Sequence, residues 1–143
     1  MQYFDTHSHI DVNDMEPVRR AQEAGLAGLI AVGGSPELNI GAKTAATRFP
    51  KFAHLALGWD RSMTDLAPDV AAERLLEEYH HYKLTDTPLC AIGETGLDYF
   101  YNKDTVDKQK ALITGSSTAV MPRQMSLRFS RMQEAPRSKR RND

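Results

Sequence analysis

Short apolar runs alternate with longer amphipathic stretches along this chain, and the alternation repeats four times before it fades. Tyr3-Phe4-Asp5 reads as a brief opening strand. Asp14 then offers a helix cap, with Pro17 in the first turn, Val18, Ala21 and Ala24 as an apolar stripe and Gly25 as the stop. Leu26 to Val32 is a continuous apolar run, the pattern of a strand covered on both faces. Ser35-Pro36 supplies a cap followed by a proline at the first helical position, and this second helix extends to Phe49-Pro50. Phe52 to Gly58 is the third strand. A longer helix begins at Leu66-Ala67-Pro68, with Val70, Leu75, Tyr79 and Tyr82 on a buried side and Glu73, Glu77 and Glu78 facing water. Leu89 to Gly93 forms the fourth strand, and Asp104 caps a fourth helix that reaches Leu112. Strands separated by helices of this length predict an α/β fold built on a parallel sheet with right-handed crossovers.

From Ile113 onward neither helical nor strand periodicity is sustained, so no structure is predicted there. Charge changes at the same point. The later segment, residues 113–143, is basic and ends in Lys139-Arg140-Arg141, whereas residues 1–112 carry an acidic excess, and the two nearly cancel in a net charge of −1. The division predicts a folded unit over 1–112 and a disordered or frameshifted tail over 113–143. A tail of this kind can attract phosphate by charge alone, but its composition fits a disordered appendage better. A hydrophobic content of 41% and a single cysteine, Cys90, describe a globular protein without a disulfide framework, expected in the reducing cytoplasm. No leader-like segment and no membrane-length apolar run is visible.

Chemistry concentrates at two strand ends. In Thr6-His7-Ser8-His9 the two histidines lie two residues apart beside the first strand, where alternate side chains share a side and both imidazoles can aim at one point. Imidazole pairs are half of a transition-metal site, and Glu94, just after the fourth strand, can add a negatively charged donor. The plainer readings are a hydrogen-bonded histidine pair and a strand-end carboxylate paired with a lysine.

Phe4-Asp5-Thr6-His7-Ser8-His9-Ile10-Asp11, taken with Gly93-Glu94-Thr95-Gly96-Leu97-Asp98-Tyr99, resembles the TatD family of metal-dependent hydrolases in both order and distance. The resemblance covers roughly residues 1–112. It implies a TIM-type (β/α) barrel, two divalent ions (Zn, Mn, Co or Mg) and hydrolysis of DNA phosphodiester bonds. It makes His7, His9 and Glu94 metal ligands and Glu94 the catalytic, ion-bridging carboxylate. Asp5 is expected to orient a coordinating imidazole through its other nitrogen, and Asp98 to support the site from behind. A complete barrel typically needs about 250 residues. At 143 residues the chain fits a partial barrel of about the first four βα units, so a weakly active or inactive hydrolase is expected.

Some positions depart from the family pattern. Where the family carries Gly-x-His-Pro, this chain has Gly58-Trp59-Asp60-Arg61, and it has no histidine after His81 from which later ligands could come. Arg61 can contact phosphate, although adjacent charged loop residues are more often simply solvated. Tyr99, Phe100 and Tyr101 can stack on bases, but core packing is the commoner fate of such residues. His54 reads as a strand or core histidine, and His80-His81 as residues favouring a helix C-terminus. Two rivals stand beside the hydrolase: a non-catalytic, metal-binding half-barrel that self-associates through exposed sheet edges, and another amidohydrolase-like metal hydrolase.

Overall fold

The computed structural model describes residues 2–83, 87 and 89–120. The elements run β1 (Phe4–Ser8), α1 (Glu16–Glu23), β2 (Gly28–Gly34), α2 (Pro36–Arg48), β3 (Ala53–Trp59), α3 (Pro68–Lys83), β4 (Leu89–Ile92), a 3-10 turn (Lys103–Thr105) and α4 (Val106–Val120). The four strands pair in parallel in the order β1-β2-β3-β4, so every strand is followed by a helix that returns the chain to the same end of the sheet. The sheet is open, with β1 and β4 at its edges, as a part of a barrel would be.

Burial follows from this order. The central strands β2 and β3 are buried along most of their length: Leu29, Ala31, Leu55 and Leu57 lie in the core on one face, and Val32 and Ala56 are buried on the other. The small residues Ala42, Ala45 and Ala46 of α2 let that helix sit close on them. Trp59 closes the end of β3, and its indole N–H donates to the carbonyl of Ala71 at 3.0 Å, so the buried ring carries no unmet donor. The edge strand β1 is exposed along most of its length.

Several boundaries differ from the sequence expectation. Asp14 is not the cap of α1: Met15 holds that position, and the Asp14 carboxylate accepts the N–H of Glu16 at 3.0 Å. β2 begins at Gly28, since Leu26 is used in leaving α1 and the Ala27 N–H bonds to the Tyr3 carbonyl at 2.7 Å. The Leu26 N–H closes onto the carbonyl of Ala21 at 3.1 Å after Gly25 turns with φ +83°. On α3 the buried stripe runs through Ala71, Leu75 and Tyr82, with Val70 only half-buried. The small side chain of Ala71 lets the helix backbone meet Trp59. Glu78 does not simply face water, since it pairs with Lys43 of α2 at 2.7 Å.

Helix α4 corrects the expectation that structure ends at Leu112, for it continues to Val120. Its continuation is carried by small residues that leave no apolar rhythm. A Cβ on Gly115 would lie 2.8 Å from the carbonyl oxygen of Pro68, so only glycine allows α4 to approach α3 there, and Ser116 is buried beside it. Most of the tail, residues 121–143, lies outside the described residues.

Candidate metal centre

His7 is the penultimate residue of β1 and His9 lies just past the strand's end. Pairing between β1 and β2 shifts register between Asp5 and Ser8, an irregularity of the kind that re-aims side chains at a strand end. The two rings stand perpendicular with centroids 4.9 Å apart, and their Nε2 atoms are 3.2 Å apart. The Nδ1 of His9 lies 3.0 Å from the carbonyl oxygen of Val32. A carbonyl only accepts, so this contact places the proton on Nδ1 and leaves the lone pair on Nε2.

Asp5 does not do the ring-orienting work expected of it. Its carboxylate accepts the backbone N–H of His7 at 2.9 Å and the Ser8 hydroxyl at 2.7 Å, which fixes the backbone beneath the histidines rather than a ring. The Ser8 hydroxyl first, and the His7 N–H after it, hold the Asp5 carboxyl below the ordinary carboxylate value. The imidazole of His9 is instead oriented by the neighbouring strand's backbone.

Glu94 reaches the histidines from β4. The Gly93 N–H donates to Leu57 at 2.9 Å and the Glu94 N–H to Gly33 at 3.3 Å, so the chain leaving β4 crosses the end of β3 and docks on β2. Gly58 makes the crossing feasible: a Cβ there would fall 2.6 Å from the carbonyl carbon of Gly93 and 2.7 Å from the Glu94 oxygen. The Oε2 of Glu94 then lies 3.1 Å from His9 Nε2 and 3.5 Å from His7 Nε2.

Three Lewis-basic atoms, one from each residue, lie within 4.8 Å of one another. A tetrahedral ion with bonds of about 2.0–2.2 Å sets its donors about 3.3–3.6 Å apart. The separations here, 3.1, 3.2 and 3.5 Å, match that spacing closely. Two imidazoles and one carboxylate are a donor set suited to Zn and to other divalent first-row ions. His7, His9 and Glu94 therefore fit the metal that the sequence motifs imply.

Sequence reasoning expected Asp98 to support the site from behind, left the role of Arg61 open and did not single out Asn39. Arg61 brings a guanidinium to Glu94: its Nη1 is 3.3 Å from Glu94 Oε1 and 3.0 Å from Asp60 Oδ2, and its Nε is 3.6 Å from Asp98 Oδ2. Burial opposes ionisation of Asp60 more than any other single influence. The Ser62 N–H and hydroxyl, with Arg61, outweigh it and leave the carboxyl below its usual range. Asp98 is a loop organiser. It accepts the N–H groups of Phe100 at 2.8 Å and Tyr101 at 2.9 Å, and these two bonds lead in depressing its pKa. The buried Gln109 of α4 locks the same loop from below, accepting the Asp98 N–H at 2.7 Å and donating to the Asn102 carbonyl at 2.9 Å.

Asn39 is the third. Buried on α2, it donates to the Gly58 carbonyl at 3.1 Å and accepts from the Gly34 and Gly58 N–H groups, each at 3.3 Å. It ties the ends of β2 and β3 together beneath the ligands. Nothing local distinguishes it from any other helical asparagine.

The remaining candidates do not join the cluster. Tyr99, Phe100 and Tyr101 are 64%, 78% and 84% exposed, so among the described residues they are not core residues. They line an open depression with Arg61, Gly96, Leu97 and Asp98. His54 is an exposed strand residue whose ring lies 5.7 Å from that of Phe4, and His80 and His81 are exposed near the end of α3.

An open parallel α/β sheet thus gathers two histidines and a glutamate at its strand ends. The chain belongs to the TatD related DNase family, whose pattern it matches over residues 4–116. Its fold is similar to the crystal structure of YjjV, a TatD homologue from Escherichia coli K12, with a TM-score of 0.63 and 24% sequence identity. That likeness covers 82% of this chain and 46% of the other, so the chain spans about half the length of the structure it matches. No curated protein matches the chain in sequence.

Proposed function

We propose that this chain is a TatD-type metal-dependent hydrolase acting slowly on DNA phosphodiester bonds. The observation that carries the reading is the convergence of His7 Nε2, His9 Nε2 and a Glu94 carboxylate oxygen within 4.8 Å. His7, His9 and Glu94 would hold the ion, and Glu94 would be the catalytic carboxylate. A divalent ion bound there would supply Lewis acidity toward a phosphoryl oxygen and toward water. The other steps belong to the chain itself. Val32 holds His9 in the tautomer that presents a lone pair, and Asp5 fixes the backbone beneath both rings. Arg61 places a permanent positive charge beside Glu94, where a phosphate would lie. Exposed Tyr99, Phe100 and Tyr101 offer faces on which bases can stack without sequence preference.

Activity is expected to be weak because the described residues gather one set of three donors, whereas the family resemblance implies two ions. Pairing of copies through the edge strands β1 and β4 belongs to the same reading, because edge strands leave backbone groups open to a partner. So does a cytoplasmic location, for which the lone cysteine speaks. No helix among the described residues is long and apolar enough to cross a membrane.

The test is DNA cleavage by the purified chain with Mn, Mg, Zn or Co, beside a Glu94→Ala variant to subtract contaminating nuclease. Slow cleavage that needs metal and disappears in the variant supports the proposal. Cleavage indifferent to Glu94 overturns it, and metal binding with no cleavage favours the non-catalytic half-barrel.

A further inference from the structure

Glu94 has two carboxylate oxygens, and the fold spends them differently. Oε2 faces the histidines at 3.1 and 3.5 Å, while Oε1 faces the guanidinium of Arg61 at 3.3 Å. The same guanidinium meets Asp60 Oδ2 at 3.0 Å and Asp98 Oδ2 at 3.6 Å. One cationic side chain thus draws carboxylate oxygens from the ends of β3 and β4 and from the loop after β4. Arginine keeps its charge throughout the accessible pH range and its planar fork suits several carboxylates at once, so it is not removed from this position by losing a proton.

A carboxylate that bridges two divalent ions with one oxygen on each uses both of its oxygens. We propose that Arg61 takes the position on Glu94 that a second divalent ion would occupy, so that this chain binds a single ion through His7, His9 and Glu94 Oε2. This inference rests on the metal-site reading above. Its physical basis is competition for one oxygen: a guanidinium already pairs with Oε1 and with two further carboxylates, and a second dication arriving there would have to displace a fixed charge. Asp60 and Asp98 keep Arg61 in place. Asp98 is itself tied to the Phe100 and Tyr101 backbone, and Asp60 accepts the Ser62 N–H at 2.9 Å, so neither carboxylate can easily swing away and release the arginine. The consequence is a site with one exchangeable cation and one permanent one, on the two oxygens of Glu94.

Metal counting tests this without recourse to activity. The full chain, stripped with chelator, is titrated with Mn²⁺, and bound ions are counted from the loss of the free-ion EPR signal. The wild type and Arg61→Lys, which keeps the positive charge, should each bind one ion per chain. Arg61→Met and Arg61→Gln, each checked for native circular dichroism, should bind a second ion, because removal of the guanidinium frees Glu94 Oε1 and leaves the Asp60 and Asp98 carboxylates without the cation they share. Two ions on the wild type, or one ion on both neutral variants, would overturn the inference. The metal-site reading fails in a different way: the wild type and the neutral variants would bind no Mn²⁺ at all, and His9→Ala would change nothing.

Discussion

His9 Nδ1 and the carbonyl oxygen of Val32 lie 3.0 Å apart across the β1–β2 seam, so a strand's backbone chooses the tautomer of a candidate ligand. Nitrogen-15 NMR of the neutral imidazole should show His9 protonated at Nδ1, with a bare Nε2 that shifts on addition of Zn²⁺. A proton found on Nε2 would mean that the ring is oriented by something else.

Gly58 governs whether Glu94 can reach the histidines. Alanine there would place a methyl group 2.6–2.8 Å from backbone atoms of Gly93 and Glu94, which are not flexible side-chain ends and cannot yield cheaply. Displacing the carboxylate should weaken divalent-ion binding by about tenfold or more, the scale on which disturbed ligand supports act. Calorimetric titration of Gly58→Ala with Zn²⁺ reads this directly, and an unchanged affinity would show that Glu94 is not a ligand.

Replacing Asn39 by alanine strips the partner from the Gly34 N–H and from both backbone groups of Gly58. Leaving buried polar groups unmet costs about 1–3 kcal/mol each, and with partial relaxation a total loss of about 2–4 kcal/mol is expected. Urea unfolding of Asn39→Ala against wild type gives the figure. A loss below about 0.5 kcal/mol, the range of neutral surface changes, would remove Asn39 from the scaffold of the site.

Asp98 carries a pH signature. Its folded pKa is depressed by the Phe100 and Tyr101 N–H groups below the ordinary value of 3.8. A depressed carboxylate binds fewer protons in the folded state. Its contribution to stability is therefore complete above about pH 4 and is lost as pH falls through the folded value. The stability gap between wild type and Asp98→Asn should be constant near neutrality and shrink below pH 4 in thermal melts. A gap that widens on acidification would contradict the sign.

Much of the scaffold could be read from the chain because its causes are local. Ser35 and Pro36 begin α2 as their chemistry requires, with the Ser35 hydroxyl accepting the Leu38 N–H at 3.2 Å. The apolar run ending at Val32 suits a strand covered on both sides, and the alternation of strand geometry predicts that His7 and His9 aim at one point. The common strand-end placement of His7, His9 and Glu94 followed from parallel βα order alone.

What the sequence by itself determined was thus the order of elements and the end of the sheet at which the chemistry gathers, since neighbouring residues set both. Only the tertiary structure decided what surrounds that chemistry. Arg61 meets Glu94 across 33 positions of chain, and Asn39 meets Gly58 across 19. The run of α4 past Leu112 depends on Gly115 fitting against Pro68, a contact between two helices with no periodic trace in either. Asp5 could have served a ring or a backbone N–H, and in the folded chain it accepts the His7 N–H. Periodicity records which side of an element is apolar. The partner of a charged or amide group depends on distances that exist only after the elements have packed.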